Sequence, residues 1–323
     1  MHVLITGGAG FIGSHLADFY LSEGQQVTVL DNLSTGNLAN IEGILAGINF
    51  VTGDIRDSKT VNELVSSSDL VLHMAAYLGV KNIMENTLES IDSNFMGSEV
   101  VLKAATKHKK RIILASTSEI YGKNSQQPLH EESDRVVGAP QMIRWTYSDS
   151  KALEEASAYV MHNRFGLPVT TARFFNTVGP RQTGQYGMVI PRFVQAALSN
   201  EDLLVYGDGT QSRVFCHVSD VVNAVNLVAN DDRTIGDYFN VGGVGEISIM
   251  ELAQRIIEMT GSKSRIKPVD YSEAYAAGFE DMQRRVPDIT KIANSVGWKP
   301  SKNLDNILAD VINFFQSRLQ SWL

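Results

Sequence analysis

The sequence predicts an α/β fold: a doubly wound parallel sheet with a smaller, mixed C-terminal lobe. Three observations carry that expectation. Strand-like and helix-like patterns alternate through the first 175 of the 323 residues. A glycine-rich turn, Thr6-Gly7-Gly8-Ala9-Gly10-Phe11-Ile12-Gly13, follows directly on the apolar run Val3-Leu4-Ile5. An acidic residue, Asp31, closes the next strand-like run, Gln26-Val27-Thr28-Val29-Leu30. Strands separated by helices imply a parallel sheet covered on both faces, whose ligands bind beyond the carboxyl ends of the strands.

In chain order, strand-like runs fall at 2–6, 26–30, 49–52, 69–73, 111–115 and 168–174, with helical patterns at 13–23, 57–66, 93–107 and 147–163 between them. After about residue 175 the pattern changes. Gly179-Pro180, Gly184, Gly187, Pro191 and Gly207-Asp208-Gly209 punctuate the chain with turns. Helical patterns follow at 188–199, 218–229, 248–260 and 303–316. Residues 1–175, with parts of 211–241 packed against them, form the expected dinucleotide domain; 176–323 form mainly a substrate lobe.

A chain of this length buries a large core. A net charge of −8 argues against a nucleic-acid footprint. The single cysteine, Cys216, excludes a disulfide within one chain and fits a reducing compartment. Met1 runs almost straight into the first strand, leaving no room for a signal peptide. No apolar run approaches the roughly 18 residues a membrane helix needs. A cytoplasmic protein with no membrane partner is expected, and no residue pattern asks for a metal.

The glycine turn points to a dinucleotide. Gly7 permits the tight turn, Gly10 lets backbone approach a pyrophosphate, and Gly13 lets the following helix pack close to the strand. That helix then presents unpaired N–H groups to the phosphates, with Phe11 and Ile12 counted among the cofactor contacts. The spacing, G-x-x-G-x-x-G, departs by one residue from the commoner G-x-G-x-x-G. Asp31 suits the ribose diol of an adenosine and repels a 2′-phosphate, so NAD is favoured over NADP, with Asn32 beside it.

Tyr147 and Lys151 stand four apart in a helical pattern, so both side chains lie on one face. An ammonium near a phenol favours the phenolate and lowers its pKa from about 10. Such a phenol removes a proton from an alcohol while hydride leaves the alcohol's carbon. Just beyond the strand Arg111-Ile112-Ile113-Leu114-Ala115 come Ser116, Thr117, Ser118 and Glu119. Their hydroxyls suit the same alcohol, and Glu119 adds a carboxylate beside the redox centre.

On these residues the sequence resembles the extended short-chain dehydrogenase/reductases that modify nucleotide sugars on a Rossmann fold. The resemblance covers nearly the whole chain. It is carried by Thr6-to-Gly13, Gly53-Asp54-Ile55-Arg56-Asp57, His73-Met74-Ala75-Ala76, the Thr117 segment, Tyr147-to-Lys151 and Phe174-Phe175-Asn176-Thr177-Val178-Gly179-Pro180-Arg181. Gly207-to-Arg213 and Asn240-Val241-Gly242-Gly243 extend it into the small lobe. The resemblance implies that Asp54 and Ile55 flank the adenine, Ala75 and Ala76 lie along the cofactor, and Asn94 helps form the site. It implies Thr117 on the sugar 4-hydroxyl, Tyr147 as base and Lys151 on the nicotinamide ribose. Asn176, Val189, Arg192, Tyr206 and Arg213 are the expected nucleotide-sugar contacts, arginine gripping phosphate oxygens in pairs. Helices 93–107 and 147–163 are those that pair two copies in the family, so a homodimer is expected.

The family's shared first step removes hydride from sugar C4 and leaves a 4-ketone. Three outcomes then compete: 4-epimerisation, 4,6-dehydration, and loss of a C5 carboxylate as carbon dioxide. Thr117-Ser118-Glu119 resembles the Thr-Ser-Glu of UDP-glucuronate decarboxylases, and Arg213-Val214-Phe215 lacks the Asp that epimerases and dehydratases often carry there. Arg144-Trp145-Thr146-Tyr147-Ser148 is similar to the decarboxylase domain of a bifunctional polymyxin-resistance enzyme. Arg285-Val286-Pro287 resembles the decarboxylases' Arg-Lys-Pro, with Val286 in place of Lys. Arg285 then recognises a sugar carboxylate or donates a proton at C5, and Glu119 positions water or returns that proton. UDP-glucuronate decarboxylation leads. Tyr186-Gly187-Met188-Val189-Ile190-Pro191 resembles many 4-epimerases, so a 4-epimerase of UDP-glucose, UDP-glucuronate or UDP-N-acetylglucosamine, then a 4,6-dehydratase, stays open. A different class, an NAD-sensing regulator without turnover, commonly loses the Tyr or Lys, and both are present.

Overall fold

The computed structural model describes residues 1–79, 86–184, 188–270 and 282–320. Its centre is a seven-stranded parallel sheet in the order β11-β6-β5-β4-β1-β2-β3. These strands are β1 (His2–Thr6), β2 (Gln26–Asp31), β3 (Asn49–Thr52), β4 (Leu70–His73), β5 (Arg111–Thr117), β6 (Val169–Phe174) and β11 (Tyr238–Val241). Runs such as Val3-Leu4-Ile5 and Ile112-Ile113-Leu114 are buried throughout because helices cover both faces. Each such side chain contributes about 1.5–3 kcal/mol by leaving water. One apolar cluster, with Val3, Ile5, Leu16 and Val225, fills one face. Another, with Leu4, Val61, Leu102 and Leu114, fills the other.

The strand order reverses at β1, which pairs with β2 on one side and β4 on the other. A crevice opens at their carboxyl ends, where the glycine turn sits. The six sequence-predicted strands all occur. The seventh, β11, was read only as an Asn240-Val241 motif. It is four residues long, and its place is set by register with β6, Tyr238 opposite Thr171 and Val241 opposite Phe174.

Helix boundaries follow local chemistry. The first helix, α1 (Phe11–Ser22), begins inside the glycine turn with Gly10 as its N-cap. The second, α2 (Ser58–Ser67), is capped by Asp57, whose carboxylate accepts from Lys59 N and Thr60 N. The predicted helix 93–107 is longer and less regular. A short α3 (Thr87–Ile91) passes through a π turn at Asp92–Met96 into α4 (Gly97–His108). The long α5 (Thr146–Phe165) carries Tyr147 and Lys151.

Beyond β6 the chain forms β7 (Thr177–Val178), α6 (Val189–Leu198), β8 (Leu203–Tyr206), β9 (Ser212–Val214), β10 (Cys216–His217) and α7 (Val218–Ala229). After β11 come β12 (Glu246–Ser248), α8 (Ile249–Thr260), β13 (Ile266–Val269), β14 (Arg284–Arg285), α9 (Thr290–Val296) and α10 (Leu304–Gln320). Ser248 and Glu251 form a reciprocal capping box at the start of α8. A third apolar cluster, with Phe193, Val205, Leu252 and Leu308, holds these helices together. The small strands, two to four residues each, carry no period a sequence can show. Tyr186 and Gly187 lie outside the described residues. Among the described residues no helix is long and apolar enough to cross a membrane.

Two of the small strands matter for the site. β14 pairs in parallel with β9, Arg285 opposite Arg213. Leu129 N donates to Val286 O at 2.8 Å, and Asp288 N donates to Leu129 O at 2.9 Å. Val286 holds this segment through its backbone, so the replacement of the family's Lys leaves the pairing intact.

Candidate active site

The glycine turn makes the floor of a cleft of about 580 Å³ at the carboxyl ends of β1, β2 and β4. Gly7 has φ +70°, and a Cβ there would lie 2.7 Å from the Ala75 backbone. A Cβ on Gly13 would lie 2.2 Å from Gly7 O. Only glycine keeps this floor low enough for backbone to meet a phosphate. Asp31 braces the turn: Oδ2 accepts from Ala9 N at 2.9 Å and Oδ1 from Leu33 N at 2.8 Å. Burial pushes its carboxyl above the usual value, against those two bonds.

Gly7, Gly10, Phe11, Ile12, Gly13, Asp31 and Asn32 all line this cleft, as do Ile55, Ala75 and Ala76. Its volume, its glycine floor and its helix N-terminus fit a dinucleotide. Asp54 stands behind the wall: Arg56 grips its carboxylate at 2.8 and 2.9 Å, and Asn32 Nδ2 donates to it at 2.9 Å. The Arg56 bonds hold Asp54 at about 2. Its visible effect is to orient Asn32. Asn94 is also set back. Buried in the π turn, it accepts from Tyr77 N at 2.7 Å and donates to Tyr77 O at 2.9 Å, fixing the chain just after Ala76.

A second cleft, of about 350 Å³, adjoins the first and shares Phe11, Ile12 and Gln182 with it. Thr117, Ser118, Glu119, Tyr147 and Arg285 line it together. Thr117 ends β5 and caps the following turn, accepting from Glu119 N at 3.1 Å. The Tyr147 hydroxyl hydrogen-bonds the Thr117 side chain.

Lys151 corrects one expectation. Its Nζ is 2.9 Å from Glu154 Oε2 and donates to Ala115 O at 3.0 Å. It lines neither cleft, and its charge is met by Glu154 rather than turned on the phenol. Tyr147 is therefore pushed up, not down: burial is the main cause, then the carboxylates of Glu154 and Glu119. The i, i+4 spacing put the two on one face, but it did not show the buried Glu154 one turn further on.

Glu119 sits between two arginines. Arg285 Nη2 is 2.6 Å from Oε1, and Arg144 Nη2 is 2.6 Å from Oε2. Burial alone would raise this carboxyl, but Arg144 and Arg285 outweigh it and hold Glu119 at about 2. Arg285 Nη1 also lies 3.5 Å from Ser118 Oγ. Arg144 was visible in sequence only as part of a motif, three residues before Tyr147. Nothing there tied it to Glu119.

On the far side of the cleft stand Asn176, Val189, Arg192, Tyr206 and Arg213. Asn176 adopts φ +31° and donates from Nδ2 to Val214 O at 2.8 Å. The Arg192 guanidinium lies over the Tyr206 ring at 4.3 Å, and Arg213 Nη1 donates to Ser212 O at 2.8 Å. Four cationic side chains, Arg144, Arg192, Arg213 and Arg285, thus line one pocket. Residues that the sequence did not single out as contacts complete the clefts. Gln211, Phe215 and Ile249 enter the second, and Arg181, Phe314, Phe315 and Arg318 enter the first.

The family described as GDP-mannose 4,6 dehydratase matches residues 4–311. A UDP-N-acetyl-alpha-D-glucosaminuronate decarboxylase of Bacillus cytotoxicus is 44% identical over 316 residues, 97% of each chain. UDP-glucuronic acid decarboxylase 1 of Xenopus tropicalis is 37% identical over 320 residues, 98% of this chain and 73% of that protein. The crystal structure of a dTDP-glucose 4,6-dehydratase of Streptomyces venezuelae with NAD bound has a TM-score of 0.89 and 28% identity, covering 100% of this chain and 98% of that one. With its glycine-floored cleft, its Tyr147 and Thr117 pair and its ring of arginines, the chain belongs to the NAD-dependent nucleotide-sugar epimerase/dehydratase family of extended short-chain dehydrogenase/reductases.

Proposed function

We propose that this enzyme decarboxylates a UDP-hexuronate and keeps its NAD through the cycle. The observation that carries the reading is Glu119 pinned between Arg144 and Arg285 beside Tyr147. An epimerase has no need of a carboxylate and a cation at C5; a decarboxylase does.

NAD would be held along the glycine-floored cleft by Gly7, Gly10, Gly13 and Asp31, and would supply the hydride acceptor for sugar C4 and the hydride returned at the end of the cycle. Tyr147 takes the C4 hydroxyl proton, with Thr117 holding that oxygen in line. The resulting ketone lies β to the C6 carboxylate. Electrons of the C5–C6 bond then move onto the ketone oxygen as carbon dioxide leaves, and a proton adds at C5. Arg285 orients the carboxylate, Glu119 holds the water or proton destined for C5, and Tyr147 returns its proton to the C4 oxygen. Overall one proton is consumed and one carbon dioxide released. Asn94 acts from behind the wall, fixing Tyr77 where the chain lines the cofactor cleft, and Lys151 holds the end of β5 through Ala115 O. Asn176, Val189, Arg192, Tyr206 and Arg213 hold the nucleoside diphosphate.

Two sugars fit the reading: UDP-glucuronate and its 2-acetamido counterpart, the sugar in the name of the 44% identical relative. Purified protein is assayed with both, reading carbon dioxide and the product pentose by mass and NMR. Carbon dioxide from either supports the proposal; an inverted C4 and no carbon dioxide makes the enzyme a 4-epimerase. Tyr147→Phe is expected to cut turnover by at least ~10²-fold.

We further propose a homodimer. Leu153, Tyr159 and Val160 on α5 and Met96 before α4 expose apolar surface of the kind a second copy covers. Tyr159→Glu is expected to shift the mass by light scattering from dimer to monomer. Residues 1–175, with parts of 211–241, are the proposed cofactor domain and 176–323 mainly the sugar-nucleotide lobe. A cytoplasmic location fits the lone buried cysteine.

A further inference from the structure

We propose that Gln127 is a positioning residue for Arg285: its side-chain amide holds the backbone on both sides of that arginine and so aims the guanidinium at Glu119 and at the sugar carboxylate. The carboxylate's part in this rests on the decarboxylase reading.

The segment 284–288 lies between two partners. On one edge is β9, with Arg284 opposite Ser212 and Arg285 opposite Arg213. On the other edge Leu129 and Pro287 form a parallel bridge, Leu129 N donating to Val286 O and Asp288 N to Leu129 O. Continued by one step, a parallel ladder would join Gln127 N to Arg284 O and Val286 N to Gln127 O. The side-chain amide of Gln127 makes both bonds in place of its backbone. Nε2 donates to Arg284 O at 3.2 Å, and Oε1 accepts from Val286 N at 2.9 Å. Nε2 also donates to Asn124 O at 3.2 Å. Asn124 is buried and tied down in turn, Oδ1 accepting from Gln126 N and Nδ2 donating to Asp134 O, each at 2.8 Å. The amide has one workable orientation, because turned over it would set Nε2 against the Val286 N–H.

Arg284 O and Val286 N belong to the two peptide planes that flank the Arg285 Cα. Holding both planes sets φ and ψ at Arg285, and with them the direction of its Cβ. Side chains alternate along a strand. Arg284 turns outward to Glu246 with 53% exposure, and Arg285 turns inward to Glu119 with 9%. A shift of about 1 Å at such a group costs on the order of 10²-fold in rate. Because a side chain makes these bonds, one substitution removes them and leaves the Leu129 bridge in place.

The test compares wild type with Gln127→Met, which keeps the bulk without the amide, and Gln127→Ala. Carbon dioxide release from both UDP-hexuronates gives kcat/KM, expected to fall about 10²-fold in each variant. Binding of UDP, UDP-glucose and UDP-glucuronate is read by calorimetry on the Tyr147→Phe background. Affinity for UDP-glucuronate is expected to fall about 10-fold, the scale of one weakened bond to a charged group. Affinity for UDP and UDP-glucose, and the content of bound NAD, are expected to hold. Hydrogen exchange, followed by mass spectrometry, should quicken over residues 284–288 and stay unchanged over β4. Equal loss for all three ligands, or loss of NAD with them, makes Gln127 a residue of general packing and overturns the proposal. So does unchanged exchange over 284–288, or unchanged UDP-glucuronate affinity in an enzyme that releases carbon dioxide. No carbon dioxide from wild type overturns the decarboxylase reading instead, and the exchange rates then still decide whether Gln127 holds Arg285 in place.

Discussion

The Lys151 ammonium lies 2.9 Å from Glu154 Oε2, and both side chains are shut off from solvent, at 2% and 1% exposure. The lysine that lies one helical turn beyond the phenol is thus held by a carboxylate one turn further still. Glu154 is in turn pushed up by burial and drawn down by Lys151 and by a bond from Ser98. Ser98 Oγ is 2.8 Å from His73 Nε2, and His73 Nδ1 is 2.7 Å from Thr6 Oγ1. A buried polar chain therefore joins the edge of the glycine turn to the lysine. His73 is kept neutral in it, its burial lowering it to about 3.

Glu154→Gln is expected to lower the Tyr147 pKa, because one of the carboxylates that raise it is gone and Lys151 loses its counter-charge. The acid limb of the pH–rate profile then moves to lower pH, and phenolate absorbance appears at lower pH in an ultraviolet titration. A Tyr147 titration that does not move would show that Lys151 and Glu154 act only on packing. Breaking a buried pair also costs stability, on the order of 3–5 kcal/mol if no new partner forms, which a thermal melt reads.

Glu119 offers a check on stability against pH. Its folded value, about 2, lies below its ordinary carboxylate value, so ionised Glu119 favours the folded state above the unfolded pKa. That contribution is fully present at neutral pH and is lost as pH falls from about 4.3 toward 2. Glu119→Gln is expected to melt lower than wild type at pH 7, with the gap narrowing as pH drops below about 4. A gap that stays constant with pH would mean that Arg144 and Arg285 do not hold the charge.

Gly13→Ala places a methyl 2.2 Å from Gly7 O, a backbone atom that cannot step aside without opening the turn. The expected cost is about 1–3 kcal/mol of stability. The larger effect is on NAD content of the purified protein, measured after denaturation, which should fall to near zero. Gly24→Ala is the contrast. That residue has φ +71° but no atom near its Cβ site, so it should lose stability without losing NAD.

Phe314, Phe315 and Arg318 bring the end of α10 to the cofactor cleft from the other side of the molecule. Arg318 lies over the Phe314 ring at 4.5 Å, one helical turn away. Arg318→Glu reverses the charge at the rim of a site for a dianionic cofactor. It should speed NADH dissociation, followed by its fluorescence in stopped flow, by several-fold at low salt and less at high salt. Equal rates at both salt concentrations would remove Arg318 from cofactor retention.

The sequence by itself determined what local spacing encodes. A strand, three glycines three apart and a helix make the cofactor floor whatever follows them. Asp31 at the end of the next strand and Tyr147 and Lys151 four apart on a helix are fixed by backbone period alone, because side chains separated by one turn must share a face. Continuous apolar runs announce strands buried on both sides. Only the tertiary structure decided which charges meet. Glu119, Arg144 and Arg285 come from three separate stretches of chain, and they form one ion cluster because β14 pairs with β9 and the turn before α5 packs against the end of β5. Likewise Lys151 takes Glu154 rather than the phenol, and β11 finds its edge on β6. Once water is excluded, the energy of a charge depends on whichever opposite charge the packing brings within about 3 Å, and distance along the chain says nothing of that.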